Sequence, residues 1–279
     1  MTIKEFLKEI EDALLKAGID CAKREAELIA CHILSADRVY LYTHMDEYID
    51  EKILLASAAV IKERLEGRPL AYIFGNADFY GLDITVDERV LIPRPETELL
   101  VEEILNSSYA NGGSVKILDL CTGSGCIAAA LAHNLPFADI TASDLSLKAL
   151  QIANYNLRKY SNVKTLRSDL FERIEEAYDI IVSNPPYIAL SEREGLQKEV
   201  RDYEPEMALF SGEDGLDAVR IILKDAADHL NPGGLLLMEI GESQGEKVLE
   251  IIANTGEFSS FEIKKDLSGL DRYLLARKK

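Results

Sequence analysis

The chain has 279 residues, of which 47% are hydrophobic and 29% are charged. Such a chain is long enough for one large α/β domain and a smaller second domain. The net charge of −18 argues against a phosphate backbone as the main partner, because binding one requires clustered Lys and Arg. The sequence contains no apolar run near the ~20 residues that span a bilayer, and residues 1–16 lack the apolar core of a secretory signal. We therefore expect a cytoplasmic protein that binds neither membrane nor nucleic acid directly.

The cysteines and histidines show no metal-binding pattern. Cys21, Cys31, Cys121 and Cys126 contain no C-x-x-C pair, and the four histidines are scattered. Neither set has the spacing of zinc ligands. We predict no metal site and free thiols that pack as small apolar groups, which suits a reducing compartment.

Residues 1–75 are predicted to form a small helical bundle. Thr2 and Glu5 have the spacing of a capping box, and apolar residues then recur at helical intervals as far as Gly18. Similar patterns predict helices over residues 22–34 and about 50–65. None of these segments has a pattern that indicates catalysis.

The pattern changes after this bundle. The stretches FYGLDITV and RVLI predict a β-hairpin linker over residues 76–98. Residues 99–279 form the main domain, in which strands and helices alternate as in a mostly parallel sheet. Its strands are predicted at residues 115–120, 139–144, 162–168, 178–183, 234–240, 261–265 and 271–277.

The last two predicted strands are too close together for a parallel crossover, so they must be antiparallel. The predicted fold class is α/β, with a mostly parallel Rossmann-like sheet, one antiparallel C-terminal strand and a small N-terminal helical bundle. This sheet resembles the class I methyltransferase variant rather than the all-parallel dehydrogenase form.

The loop DLCTGSGC follows the first strand of this sheet and predicts a nucleotide-binding turn. Gly123 and Gly125 let the backbone approach a ligand, and the next helix offers free N–H groups. Asp144 ends the following strand, where a carboxylate can accept hydrogen bonds from two ribose hydroxyls. A tight turn without a ligand and a helix N-cap at Asp144 are the structural alternatives. The motif alone fits either NAD or S-adenosylmethionine.

The segment SNPPYIA follows the fourth predicted strand, at the edge where open α/β sheets bind ligands. Pro185 and Pro186 stiffen the loop and leave it rich in acceptors. The Asn184 side-chain oxygen and the Pro185 carbonyl can orient a planar amide or ring-bound amino group, and Tyr187 offers a flat face to it. A rigid turn after a strand is the structural alternative. The loop favours methyl transfer to a delocalised nitrogen.

Seven segments together resemble the peptide chain release factor N5-glutamine methyltransferases (PrmC/HemK). The resemblance covers nearly the whole chain, and the segments that carry it read RPLAYIFG (68–75), LIPRPETE (91–98), DLCTGSG (119–125), SDLF (168–171), SNPPYI (183–188), YEPEMALFSGEDGL (203–216) and LLLMEIGESQG (235–245). NPPY alone also occurs in amino-methyltransferases of nucleic acids. Its combination with PRPETE and a helical N-terminal domain is much more specific.

The resemblance implies a cytoplasmic enzyme of translation termination that methylates the Gly-Gly-Gln glutamine of release factors and releases S-adenosylhomocysteine. S-Adenosylmethionine would be held by Cys121, Thr122, Gly123, Ser124, Gly125, Asp144, Leu170 and Asn184. The glutamine would be held by Asn184, Pro185, Pro186 and Tyr187, and the helical domain would dock the release factor. Cys121 stands where the family usually has Gly, and Leu170 where some members have Trp.

Three other functions remain open at the level of sequence. The same loop could receive a flipped adenine in an N6-methyltransferase of nucleic acid, although the acidic charge opposes this. A ribosomal protein could supply the glutamine instead of a release factor. The protein could also be a nucleotide-binding regulatory module without turnover.

Overall fold

The computed structural model describes residues 1–111 and 114–279. They form two compact units, the first comprising Met1–Gly75 with Lys198–Tyr203, and the second comprising Asn76–Gln197 with Glu204–Lys279. Across the described residues, no helix is both long and apolar enough to cross a membrane.

The first unit is helical. Its helices are α1 (Ile3–Lys16), α2 (Ala22–Leu34), α3 (Arg38–Thr43), α4 (Glu51–Leu65) and α5 (Leu70–Phe74), with α9 (Lys198–Tyr203) joining them from later in the chain. The predicted capping box is present, since Thr2 N donates to Glu5 Oε2 (2.8 Å) and Glu5 N to Thr2 Oγ1 (3.3 Å). Apolar faces of α1 and α2 form most of the buried core. The sequence did not indicate α3 and α5, which are too short to show a helical period.

Arg64 is a buried charge at the end of α4, and it links three segments of this unit. Its Nε and Nη2 donate to the carboxylate of Glu25 on α2, at 2.7 and 2.9 Å. Its Nη2 also pairs with Glu199 on α9 (3.1 Å). The buried guanidinium is thus paired and hydrogen-bonded, as a buried charge must be to avoid a large desolvation penalty.

The second unit begins with a hairpin of β1 (Asn76–Phe79) and β2 (Leu82–Thr85). Its two-residue turn consists of Tyr80 and Gly81, with φ of 50° and 73°, as in the turn type that matches strand twist. The predicted hairpin is therefore present, but both strands lie within residues 76–85. The RVLI stretch is not a strand, and a 3₁₀ turn at Pro95–Thr97 follows it.

A seven-stranded sheet forms the centre of this unit. Its strands are β3 (Lys116–Leu120), β4 (Asp139–Asp144), β5 (Val163–Arg167), β6 (Tyr178–Ser183), β7 (Leu230–Glu239), β8 (Phe258–Lys265) and β9 (Asp271–Lys278), in the order β5-β4-β3-β6-β7-β9-β8. Strands β3 to β7 are parallel, and β9 is antiparallel to both β7 and β8. The predicted fold class is confirmed.

Helices of the second unit are α6 (Glu98–Asn106), α7 (Cys126–Asn134), α8 (Leu147–Leu157), α10 (Glu206–Leu209), α11 (Asp217–Asp225) and α12 (Gly245–Thr255). Strand β3 is buried at four of its five residues, as expected for a central strand of a parallel sheet with both faces covered. One apolar cluster joins β3, β6 and β7 to α11 and α12. Because β3, β4 and β6 run parallel, their carboxyl ends lie along one edge of the sheet.

Candidate active site

A cavity of about 750 Å³ lies within the second unit at the carboxyl ends of β3 to β6. Its walls come from the ends of these strands and the residues after them, from residues 88–97 and 205–212, and from the first turns of α11. Arg94 lines it and pairs with the buried Glu204 (2.5 Å), which directly precedes residues 205–212, so this ion pair connects the two segments. This is the edge where open α/β sheets bind ligands.

The glycine loop after β3 has a fixed backbone. Gly123 and Gly125 have φ of 55° and 81°, in the left-handed region that favours glycine. A Cβ on Gly125 would press against Leu157 and Ala153 of α8 at 3.2–3.3 Å, whereas one on Gly123 would meet nothing within 4 Å. Gly123 lines the cavity, so its bare backbone leaves room for a ligand.

Asp119 supports this loop from beneath. Its Oδ2 accepts from Thr122 Oγ1 (2.5 Å) and from Ala128 N (3.1 Å), which connects the strand to both the loop and α7. The carboxyl is fully buried, and burial raises its pKa to about 7 against the pull of these two donors. It therefore titrates near neutral pH in the folded protein.

Asp144 lies at the end of β4, across from the loop. Its Oδ2 accepts from Gly123 N (2.9 Å) and its Oδ1 from Ser146 N (2.8 Å). Burial raises its pKa, and these backbone donors oppose the rise. Ser146 caps α8 through Ala149 N (3.2 Å), so Asp144 is not the side chain that caps this helix.

The cavity has the features that a nucleoside cofactor requires. It offers the Asp144 carboxylate for ribose hydroxyls, the bare Gly123 backbone and the apolar Leu170. The buried Ser143 hydroxyl also lines it and has no hydrogen-bond partner among the described residues. A buried polar atom without a partner in the protein is a suitable contact for a polar ligand.

Asn184 follows β6 and begins a buried network. Its Nδ2 donates to Thr97 Oγ1 (3.1 Å), which in turn donates to Glu239 Oε2 (2.6 Å). Tyr187 Oη donates to Glu239 Oε1 (3.0 Å). Asn184 and Thr97 line the cavity, whereas Glu239, which is 1% exposed, does not line it, so the network runs from the cavity wall into the interior.

The backbone of the NPPY loop is held from the other side by Gln244. Its Nε2 donates to the carbonyls of Tyr187 (2.8 Å) and Gly215 (3.3 Å), while its Oε1 accepts from Gly241 N (2.8 Å). A Cβ on Gly215 would lie 2.2 Å from the Tyr187 carbonyl oxygen. Only glycine fits there, so this close packing and the Gln244 hydrogen bonds hold the loop backbone in place.

The cavity brings together most of the residues predicted from sequence. Those that line it are Cys121, Thr122, Gly123, Ser124, Asp144, Leu170, Asn184 and Pro186. Of the predicted set, and within the described part of the chain, Gly125, Pro185 and Tyr187 do not line it. Gly125 packs against α8, and the Tyr187 hydroxyl is bonded to Glu239. Their individual roles remain predictions.

Comparisons with known proteins identify the family. A family model described as the PrmC N-terminal domain matches residues 5–75, and one described as the methyltransferase small domain matches residues 95–199. A release factor glutamine methyltransferase of Geobacter sulfurreducens is 39% identical over 278 residues, which cover 99% of this chain and 96% of that protein. One of Thermodesulfovibrio yellowstonii is 42% identical over 260 residues, covering 91% and 92%. The chain belongs to the release factor glutamine methyltransferase family.

Solved structures agree with the fold of this methyltransferase. A methyltransferase from Pyrococcus furiosus matches with a TM-score of 0.52 at 23% identity, covering 79% of this chain and 98% of that one. At this identity the likeness shows the fold alone.

Sequence reasoning missed three residues of the site: Thr97, Glu239 and Gln244. Glu239 carried a signal, because a carboxylate inside the apolar run LLLMEI requires a buried partner. Its partners, the hydroxyls of Thr97 and Tyr187, come from distant parts of the chain. Thr97 and Gln244 lie within LIPRPETE and LLLMEIGESQG, two segments that carry the family resemblance, but nothing in those segments singles out either side chain.

Cys121 and Leu170 have positive φ, at 62° and 43°. Glycine adopts such angles without strain, which explains why it suits position 121. Burial raises the pKa of the Cys121 thiol, so this side chain stays neutral and packs against the core.

We expect Cys121→Gly to change the free energy of unfolding by less than about 1 kcal/mol, because relief of strain offsets lost packing. Cys121→Val should destabilise by about 2 kcal/mol, since a branched side chain fits this region poorly. Urea denaturation of the two variants measures both values, and equal stabilities would contradict the strain.

Proposed function

We propose that this enzyme transfers a methyl group from S-adenosylmethionine to N5 of the glutamine in the Gly-Gly-Gln motif of peptide chain release factors. The observation that carries the proposal is the position of the Asn184 amide, on the wall of the same cavity as the Asp144 carboxylate. A group that can orient an amide nitrogen therefore stands beside a group that can hold a nucleoside. Release factors act on the ribosome, so the proposed reaction is cytoplasmic.

The chemistry follows from the acceptors of the NPPY loop. When bound, S-adenosylmethionine supplies an electrophilic methyl group on a sulfonium. The Asn184 Oδ1 and the Pro185 carbonyl accept the two N–H groups of the glutamine amide, which directs its lone pair at that methyl. The N–CH₃ bond forms as the S–CH₃ bond breaks. The electron pair of the broken S–CH₃ bond remains on sulfur, which gives S-adenosylhomocysteine. One proton of the methylated amide then leaves to water. No strong base is needed, because the proton is lost from an already methylated nitrogen.

Charge favours a protein substrate over nucleic acid. The chain carries 49 acidic and 31 basic residues. Acidic residues also outnumber basic ones on the cavity wall, which disfavours a phosphate backbone there. The acidic ones are Glu88, Asp144, Asp169, Glu206 and Asp217, and the basic ones are Arg89, Arg94 and Lys148. The family relatives are named for release factors, and this supports the release factor over a ribosomal protein.

We further propose that the helical unit docks the body of the release factor. Several large apolar and aromatic side chains of this unit are exposed, among them Val39, Tyr42, Tyr48 and Leu55. Exposed aromatic and aliphatic groups are common anchors of protein interfaces.

Asp144→Ala is expected to weaken binding of S-adenosylmethionine by about 1–3 kcal/mol, the range for loss of a charged acceptor. Because burial raises the Asp144 pKa, affinity of the unmodified enzyme should fall as the pH drops through that pKa, while Asp144→Asn should lose most of this dependence. Isothermal calorimetry at two pH values measures both effects. Asp139→Ala, at the other end of β4, serves as the control, and unchanged affinity of Asp144→Ala would remove Asp144 from the site.

Mass spectrometry tests the reaction itself. A release factor incubated with the enzyme and S-adenosylmethionine should gain one methyl group on the glutamine of its Gly-Gly-Gln motif. A release factor in which that glutamine is replaced by alanine should gain none. Methylation of an adenine in RNA or DNA, of a ribosomal protein instead, or of no substrate at all would refute the proposal.

A further inference from the structure

The hydrogen bonds beneath the NPPY loop have a fixed direction. A threonine hydroxyl has one proton to donate, and a carboxylate can only accept. When Glu239 is ionised, Thr97 therefore gives its proton to Glu239 Oε2 (2.6 Å), and the Thr97 oxygen remains an acceptor. Only the NH₂ end of the Asn184 amide can satisfy that oxygen, which matches the donation from Nδ2 at 3.1 Å.

The opposite end of the same amide is thereby turned away from Thr97. The Asn184 Oδ1 has no hydrogen-bond partner among the described residues, and Asn184 lines the cavity. An asparagine amide is nearly symmetric in shape, so packing alone does not decide which end faces the cavity. The proton count at Thr97 decides it.

Tyr187 secures the second oxygen of Glu239. Burial and the neighbouring Glu239 charge raise the Tyr187 pKa, so its hydroxyl keeps the proton that it donates to Oε1 (3.0 Å). Burial raises the pKa of Glu239, while the two hydroxyl donors and Arg272 lower it and Glu96 raises it. A high pH favours the carboxylate form, in which both oxygens accept.

We propose that Glu239 and Thr97 are positioning residues that set the polarity of the Asn184 amide, so that its oxygen and not its NH₂ group faces the amide nitrogen of the substrate. This inference rests on the proposed function. A reversed amide would place N–H donors against the N–H of the glutamine, which loses the acceptor and adds a repulsive contact.

Glu239→Gln tests the direction with almost no change in shape. The Tyr187 hydroxyl holds the oxygen of the introduced glutamine, so its new NH₂ group faces Thr97 and donates to the hydroxyl oxygen there. The Thr97 proton then turns to Asn184 and selects the reversed amide. At pH 8 we expect kcat to fall at least ~10-fold, a lower bound for one misplaced polar group in a reaction centre. The KM for S-adenosylmethionine should stay within about 2-fold, because Glu239 does not line the cavity.

The double variant Asn184→Asp with Glu239→Gln reverses the whole chain of hydrogen bonds. The introduced glutamine then donates to Thr97, Thr97 donates to the introduced aspartate, and the other oxygen of that aspartate still faces the substrate as an acceptor. In the single variant Asn184→Asp, two carboxylates compete for the one Thr97 proton. At pH 8 the double variant should have a kcat at least ~10-fold above that of Asn184→Asp, and a higher melting temperature as well.

Thr97→Val and Thr97→Ser form a matched pair for the middle residue. Valine keeps the shape and removes the hydroxyl, so kcat should fall ~10-fold or more, and serine should recover most of that loss. Combined with Asn184→Ala, Thr97→Val should cause no further loss of kcat, because Thr97 acts through Asn184.

The outcomes separate the two proposals. If the unmodified enzyme does not methylate the release factor glutamine, the proposed function fails. If it does, but Glu239→Gln has unchanged kcat, or the double variant is no faster and no more stable than Asn184→Asp, the polarity role is wrong. A Glu239→Gln variant that lost kcat only together with its melting transition and its cofactor binding would also overturn the role, since that result indicates general structural damage.

Discussion

Replacing Asn184 with alanine is expected to lower kcat for methyl transfer about 10²-fold or more, the scale for loss of one preorganised polar group. In the proposed mechanism the side chain provides one of two acceptors for the substrate amide, and the two prolines that follow keep the loop backbone in place. Binding of S-adenosylmethionine should change far less than kcat, although Asn184 lines the cavity. Single-turnover kinetics with a release factor, beside calorimetry of cofactor binding, separates the two quantities.

The matched control is Asn184→Asp, which retains an oxygen toward the substrate. It should be more active than Asn184→Ala, because a carboxylate still accepts the N–H. If Asn184→Ala kept nearly normal turnover, the amide clamp would be wrong, and the strongest structural reason for proposing an amide substrate would disappear.

Asp119→Asn is expected to remove a large pH dependence of stability. The folded protein holds the Asp119 proton up to a pKa of about 7, whereas an unfolded Asp loses it near 3.8. The folded state thus binds more protons between these values, so stability from this group is present at low pH and is lost as the pH rises through 7. Between pH 5 and pH 8 the loss should be on the order of 2–3 kcal/mol.

Urea denaturation without cofactor, at pH 5 and pH 8, measures this difference. The asparagine oxygen can still accept from Thr122 and Ala128, so the fold should remain. The free energy of unfolding of the unmodified protein should fall between pH 5 and pH 8 by the amount given above. That of Asp119→Asn should lack this fall. Thr122 donates a hydrogen bond that lowers the Asp119 pKa. Thr122→Val removes this donor, so the loss of stability with rising pH should be centred at a higher pH. Parallel pH profiles for the unmodified protein and Asp119→Asn would show that Asp119 does not titrate in this range.

The parts of the structure that were predictable from sequence depend on local patterns. The capping box at Thr2 is a contact within one helical turn, and strands such as β4 and β6 are short buried runs with clear ends. The antiparallel strand β9 followed from the length of one connection. The loops that contain Gly123 and Asn184 were recognisable because their residue types are uncommon in that order.

The hydrogen-bond network beneath the loop was not predictable in the same way. Glu239 and Thr97 are separated by 142 residues, and Asn184 and Thr97 by 87. Contacts between residues so far apart in sequence depend on the strand order of the sheet and on the position of the 3₁₀ turn before α6. Neither feature has a local signature. For the RVLI stretch the local pattern was misleading. Its β-type residues predicted a strand, but the segment lines the cavity and does not pair with another strand.

The assignment of α9 to the helical unit means that this unit is discontinuous in sequence. Lys198 Nζ and Tyr203 Oη both donate to the Glu66 carbonyl, and Glu199 pairs with Arg64. No single cut of the chain can therefore separate the two units cleanly. A truncation before residue 76 would strip α9 of these partners in the middle of the segment that connects the NPPY loop to residues 205–212. Loss of activity in such a fragment could come from removal of the proposed docking surface or from damage to the segment around α9. Surface substitutions on the intact chain are therefore the sounder test of the proposed docking role.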